Sequence, residues 1–535
     1  MIALRSPLAH RGLVLVAAVA AVLAAHALGA APARAAALVR TYLVAPAGVD
    51  PNGPSGDPSI GGDGRFVAFA SVASNLGPVV GTRGISNVYL FDFVTGSATL
   101  ISQGINGAPA NAPSTTPSVS ADGSTVAFAS RASNLVPGTS RHLSEIFVRA
   151  ATGAIRLITV GFGGVQPDAD STEPAISADG RFVAFTSDAD NLIAGDQNGA
   201  SDVFVVDLQT GTIQRVSVST SGREANGASY NPSISGDGSL VSFTSDASNL
   251  VRGDHNHVPD VFVHDMATGV TKRVSVSSSG REQNASVPAP FTEISDLSAD
   301  DHYVVFDSNA TNLVRGTAVG HTNVFRRSLT TGRTALVSAS SLSVAGDNDS
   351  FAPATSADGR VTVFESFADN LATPWVPDEN VFAEDIATRT TSTVDVTPDG
   401  GPRGPELDAQ LLQQAAVSAD GQEVAFASGA DNLVPGVYNG TDNLYVRMIN
   451  PPSTTVVEAP PAVTGDPRPV VEFQGSDALA RIGLCELDGR RLACPIGRPF
   501  RLPKVRRGSH VLKAYAADPG TLFDPQGVTV DFTES

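Results

Sequence analysis

PSISGDGSLVSFTSDASNLVRGDHNHVPDVFVHDMATGVTKRVSVS, residues Pro232 to Ser277, is the stretch whose reading decides the fold. It holds three apolar-rich runs separated by turn signals, and the pattern recurs along most of the chain. The clearest marker is an Asp at the tip of the first turn. It stands at Asp63, Asp122, Asp179, Asp237, Asp300, Asp358 and Asp420, with spacings of 59, 57, 58, 63, 58 and 62 residues. Seven copies of one supersecondary unit mean that the fold is an array.

One unit reads as four strands. In the third copy these are the short Pro174-Ala-Ile-Ser, then Phe182 to Ser187, Val203 to Leu208, and Ile213 to Ser219. Asp179-Gly180 and Thr210-Gly211 supply tight turns, where Gly takes positive φ without steric cost. The second and third strands are apolar at both alternating sets, as expected of a sheet packed on both faces. The fourth alternates, with Val216 and Val218 on one side and Arg215 and Ser217 on the other, which predicts a half-exposed outer edge. Four-stranded sheets buried on both faces and repeated seven times predict an all-β, seven-bladed β-propeller over residues 38–449.

The ring has to close. The seventh copy supplies Ala416 to Ser418, Val424 to Ser428 and Leu444 to Met448, then runs into Asn450-Pro451-Pro452 with no fourth strand. The run Leu38 to Val44 precedes Pro58 by the interval that separates Val216 from Pro232 in the fourth copy. The N-terminal strand is therefore expected to complete the last blade, which removes an unpaired edge.

The flanks differ from the repeats. Arg5 and Arg11, an apolar run from Gly12 to Leu28, and Ala33-Arg34-Ala35 have the layout of a cleaved export signal over residues 1–35. The apolar run is short for a membrane span, and no second one follows. The mature chain is expected outside the cytoplasm or in the cell envelope, without a membrane span, and as a monomer. Residues 450–469 are Pro-rich and read as a semi-rigid linker. Residues 470–535 read as a small β-sandwich with strands at Val470 to Phe473, Arg481 to Leu487, Phe500 to Leu502, His510 to Ala516 and Val528 to Phe532. The two cysteines, Cys485 and Cys494, lie here. In an exported chain they are expected to form a disulfide, since two thiols without a His cluster make a poor zinc site.

The segments Pro174-Ala-Ile-Ser-Ala-Asp-Gly-Arg-Phe-Val-Ala-Phe185 and Asp202-Val-Phe-Val-Val-Asp207 resemble the repeats of TolB-type, WD40-like (PD40) β-propellers. The likeness covers about residues 40 to 449. It departs in blade number, since TolB itself has six, and in longer connections between the second and third strands. The fifth copy has Asp301 in place of the turn Gly. The resemblance implies a protein-binding module of the cell envelope, or the non-catalytic propeller of a prolyl-oligopeptidase-like enzyme. The tail, from Cys485-Glu-Leu-Asp-Gly489 to Asp518, resembles a bacterial Ig-like module.

The net charge of −19 makes nucleic acid a poor partner, because the chain repels phosphate backbones. No Gly-x-Ser-x-Gly elbow, His-Glu-x-x-His helix or phosphate-cradling Gly loop is present. His255 and His257 lie close together and lack a third ligand. The expectation is a secreted, non-enzymatic propeller that binds protein or glycan. A hydrolase or lyase acting on an extracellular polymer, with carboxylates at the propeller mouth, is the alternative.

Long connections emerge at one end of a four-stranded blade and the short turns at the other, so function is expected on the long-loop face. Residues just before the first strands converge there at the channel mouth: Asp57, Glu173, Asn231, Glu293 and Gln414. They differ between blades, as a ligand surface does. Two long loops carry oxygen series, Asp196, Asn198, Asp202 and Asp254, Asn256, Asp260, with the spacing to wrap Ca²⁺. Asx turns that merely hold the loops account for the same residues. An Asn-Leu pair recurs in every copy, at Asn75, Asn134, Asn191, Asn249, Asn312, Asn370 and Asn432. It reads as a loop cap followed by a core residue.

Overall fold

Strands account for nearly all the regular structure, and the alternation in the repeats explains their grouping. The computed structural model describes residues 41–534, apart from 80, 82–83, 139–142, 151–152, 285–293, 318–319, 376–377, 399, 406–414, 438, 450–453, 476–481 and 518–527. The export signal read at residues 1–35 lies outside the described residues. Seven four-stranded antiparallel sheets follow one another along the chain. Blade 3 is typical, with strands Ser171–Ile176, Phe182–Ser187, Asp202–Asp207 and Thr212–Arg215. Blade 4 repeats it at Ser229–Ile234, Leu240–Ser245, Asp260–Asp265 and Val270–Arg273. The fold is a seven-bladed β-propeller.

Blade 7 closes the ring as its missing fourth strand requires. Ala416–Val417, Glu423–Ser428 and Asn443–Met448 are joined by Thr41–Leu43, which pairs antiparallel with the third strand, Tyr42 opposite Val446. Arg447, buried in that strand, donates from Nη1 to Thr41 Oγ1 at 2.9 Å. The closure is thus a sheet ladder with a side-chain bond across it.

The core repeats with the blades. One aromatic from the second strand stacks on one from the third in each sheet, as in Phe185–Phe204 and Phe243–Phe262, both with centroids 5.8 Å apart. Ala184, Val203 and Val205 on the opposite face of blade 3 pack with Val241, Phe243 and Phe262 of blade 4. Both faces of the central strands are therefore buried, which is why their sequence shows no polar side.

The Asp-Gly turn has a second duty beyond reversing the chain. Gly238 has φ +76°, and a Cβ there would lie 2.3 Å from Cδ2 of Phe182, the residue that begins the second strand of the preceding blade. Gly123 stands in the same relation to Phe66, and Gly359 to Tyr303. The turn is a contact between blades, and glycine meets both its φ and its clearance. Blade 5 departs by design: Asp301 keeps φ 66° and its carboxylate accepts a hydrogen bond from Ser239 Oγ at 2.9 Å.

The Asn-Leu pair also works between loops. Asn249 donates from Nδ2 to the backbone carbonyl of Glu224 at 2.9 Å and accepts from Asn226 N–H at 3.1 Å. Leu250 beside it is buried. The Asn thus fastens its own loop to the connection between blades.

Two strand readings need correction. The first strands begin about three residues earlier than the Pro suggests, at Ser171 rather than Pro174, because a bulge between Thr172 and Ala175 absorbs the residue that cannot donate. The fourth strands are shorter and less exposed than their alternation implies. Thr212–Arg215 ends the ladder, and Val216 and Ser217 beyond it are fully buried.

In the C-terminal region a sheet of Thr454–Glu458, Val470–Gly475 and Phe500–Arg501 accompanies one of Val463–Thr464, Ile482–Leu487, Arg490–Pro495, Gly508–Ala517 and Val528–Glu534. The supposed linker at 450–469 thus contributes two strands. Its β-branched Thr454-Thr-Val-Val run pairs with Val470–Gly475, and the prolines only bound it. Arg490–Pro495 was not legible as a strand either. It forms a hairpin with Ile482–Leu487 through Asp488 (φ 51°) and Gly489 (φ 76°), and the disulfide Cys485–Cys494 joins its two arms.

Candidate functional site

A cavity of 420 Å³ is walled by the first strands of all seven blades, from Asp57–Ile60 round to Ala415–Val417. At the short-turn end Gly62, Ala121, Ala178, Gly236, Ala299, Ala357 and Ala419 ring it. Backbone bonds between neighbouring blades link that ring, among them Gly62 N to Ala121 O at 2.8 Å and Ala357 N to Ala419 O at 2.9 Å. Small side chains are required there because the strands converge.

At the long-loop end the wall residues differ. Asp57, Glu173 and Asn231 line the cavity as the sequence suggested, and Glu293 and Gln414 lie outside the described residues. They sit inside the first strands rather than before them. Each holds a left-handed backbone, with φ of 49°, 55° and 52°, and each is followed by proline. Thr116, in the same place in blade 2, has φ 44° and escaped the sequence reading. A polar residue before a repeated Pro was the available signal.

Those bulges explain the carboxylates. The bulge N–H of one blade is turned away from its own ladder and is met by an oxygen of the preceding blade. Thr116 N donates to Asp57 Oδ2 at 3.3 Å, and Asn231 N to Glu173 Oε2 at 2.9 Å. Thr186 Oγ1 also donates to that Glu173 oxygen at 2.7 Å. In blade 5 the acceptor is Asp307, which takes Ala352 N at 3.1 Å and Ile294 N at 2.8 Å. Burial pushes Asp57 above the usual carboxylate range and Asp307 up to about 7. Asp296, missed from sequence, also lines the cavity and accepts from Thr355 N at 2.8 Å and Ser233 Oγ at 2.7 Å. Burial raises it too. These acids fasten blade to blade; Asp57, Glu173 and Asp296 also line the channel, whereas Asp307 is buried behind it.

The two loops read as calcium ligands are filled by the chain's own cations. Arg215 Nη1 lies 3.0 Å from Asp196 Oδ1 and 3.0 Å from Asp202 Oδ2, and it also touches Glu224 Oε1. Arg273 repeats this with Asp254 at 3.0 Å, Asp260 at 2.8 Å and Glu282 at 3.1 Å. Asn198 and Asn256 turn amide nitrogens, not oxygens, toward the carboxylates of Asp202 and Asp260, at 2.9 and 3.0 Å. A calcium ligand set needs the opposite orientation. The oxygen series therefore builds a cage for a guanidinium, and the Arg that the strand alternation placed on the solvent side supplies the positive charge. Burial still raises Asp196 to about 7, helped by its hydrogen bond with Glu224. His255 and His257 lie on the same long loop, and Glu282 accepts from His255 N–H at 3.2 Å.

No family model and no curated protein matches the chain. Solved structures do. An oligogalacturonate lyase from Vibrio parahaemolyticus is 11% identical, with 77% of this chain and 94% of that one covered, at a TM-score of 0.46. A putative TolB from Agrobacterium tumefaciens is 15% identical over 53% of this chain and 80% of that one, at 0.33. The WD40 repeats of RRP9 are 9% identical over 78% and 99%, at 0.38. The chain is similar to these propellers in fold. Among the described residues, no helix is long and apolar enough to cross a membrane.

Proposed function

We propose that this chain is a non-enzymatic binding protein whose ligand enters the axial cavity from the long-loop face. The observation that carries the reading is the wall itself. Equivalent positions present Asp57, Thr116, Glu173 and Asn231, so a repeated ring has a chemically asymmetric lining. Its surface is part apolar and part lined by oxygens, with no Lys, Arg or His among the described lining residues, and suits hydroxyl or amine groups, as on a glycan or a protein segment. The cavity carboxylates are engaged by neighbouring N–H groups, which favours recognition over acid–base chemistry. Residues 1–35 carry the pattern of an export signal, so the ligand is sought in the envelope or outside the cell.

The test is a screen of the pure protein against cell-wall glycans and envelope proteins, with Ala175→Phe and Ala416→Phe as cavity-filling variants. A saturable ligand is expected for the wild type, with loss of binding in a variant that melts like it. Unchanged binding in both folded variants removes the cavity from the function. A product of altered mass replaces the binding reading with a hydrolase or lyase.

A further inference from the structure

The 25 residues from Gly489 to Lys513 contain eight of the chain's 35 Lys and Arg and none of its 54 acids. In a chain of net charge −19, this is a sharp reversal. The structure turns the central part of it into a surface. Leu502 and Val505 are buried, at 1% and 7% exposure, and their N–H groups bond to Pro469 O at 3.0 Å and Pro467 O at 2.9 Å. With those two residues anchored inward, Arg498, Arg501, Lys504, Arg506 and Arg507 are all exposed. Arg468 is exposed on the adjoining segment, and Arg501 Nη1 reaches its carbonyl at 3.3 Å. Among the described residues the ion pair recorded for this row is Arg501 with Asp466, at 3.3 Å and largely in solvent.

We propose that this row is a binding face for an extended acidic polysaccharide, separate from the propeller cavity. An extended segment rises about 3.3 Å per residue, so the cations from Arg498 to Arg507 spread over at most about 30 Å. Five exposed cations spread along ten residues suit the repeated charges of a linear polymer better than a compact ion. Four of its five cations are Arg, whose planar forks meet carboxylate or sulfate oxygens in pairs. Pro499 and Pro503 and the bonds to residues 467 and 469 fix the backbone in advance, which lowers the ordering cost of binding. Nucleic acid is disfavoured because Phe500, the aromatic of this row, is half-buried against Phe473, with centroids 6.4 Å apart, and cannot offer a stacking platform.

The experiment uses the full chain with four probes: alginate as a polyuronate, dextran sulfate, neutral dextran and single-stranded DNA. Alginate and dextran sulfate are expected to bind in a salt-sensitive way, and neutral dextran is not. The variant R498Q/K504Q/R506Q/R507Q leaves the Arg501–Asp466 pair intact and should bind the anionic glycans about tenfold more weakly or worse. Its melting curve and intact disulfide report folding. A second variant, R490Q, lies outside the row and should bind as the wild type does. The proposal is overturned if the wild type ignores both anionic glycans, if the folded fourfold variant binds them as well as the wild type, or if DNA binds as tightly as they do. The cavity variants Ala175→Phe and Ala416→Phe should leave this binding untouched, so the two sites fail or stand separately.

Discussion

The two ends of the propeller are built on opposite rules. At the short-turn end every blade does nearly the same thing. In blades 2 to 7 an Asp carboxylate accepts from the Ser two residues before it and from the backbone N–H two residues after it, as Asp237 does with Ser235 and Ser239. Blade 1 has Gly61 in place of the Ser and keeps the bond from Arg65 N to Asp63. The following residue, Gly in all blades but the fifth, lies against the neighbouring blade. At the long-loop end the blades solve one problem in different ways. The first residue of the third strand is Asn87, Glu145, Asp202, Asp260, Asn323, Asn380 or Asn443. In blades 3 and 4 it joins an Arg cage from the fourth strand. In blade 6 the caged guanidinium is Arg403, from the loop beyond, on Asp395 at 2.7 Å. Ring closure demands identical contacts where strands converge, whereas loops that diverge are free to vary.

The largest effect should come from breaking the ring itself. Deleting Thr41 to Val44 exposes an edge of Asn443–Met448 and removes one of the acceptors of buried Arg447, and the melting temperature should fall by about 10 °C or more. An unchanged melting point means that the closing strand does not lock the ring.

Next in size is the cage. Arg215→Met leaves Asp196, Asp202 and Glu224 facing one another without a cation, a loss of about 3–5 kcal/mol. Calcium should restore part of that stability in the variant and leave the wild type unmoved. A wild type that melts higher with calcium than with chelator would return these loops to metal binding.

The turn end gives a matched pair. Gly238→Ala puts a Cβ into the Phe182 ring at a positive φ and should cost about 2–4 kcal/mol. Asp301→Gly, at the same place in blade 5, should change stability by about 1 kcal/mol or less, since it relieves φ strain and loses one hydrogen bond. Equal effects at the two positions would show that the turn is not a blade contact.

The effect of pH is spread over several buried acids. Burial raises Asp307 and Glu145 to about 7, Glu384 to about 8 and Asp395 to about 6. The folded chain keeps these protons where the unfolded chain releases them near about pH 4. Their contribution is therefore complete below that pH and is lost as pH rises through about 6 to 8. Melting temperature should decline by several degrees from about pH 5 to about pH 9, and Asp307→Asn should flatten the decline. A curve that rises with pH contradicts the burial of these acids.

The sequence by itself determined the number of blades, the closing strand, the Asp-Gly turns, the disulfide and the burial of the central strands on both faces. Each follows from a local rule repeated seven times, or from cysteine chemistry. Burial on both faces shows as unbroken apolar runs, and tight turns show as Gly. The strand at Arg490–Pro495 escaped because its charged start hides a half-buried hairpin arm. Only the tertiary structure decided what the polar groups do. Asp57 and Glu173 bond to blades some 60 residues further along the chain, and Arg215 turns inward because two carboxylates of one loop and Glu224 of the next connection meet it. Those partners are set by how the blades stack, and a pairing between distant segments leaves no period in the sequence to read.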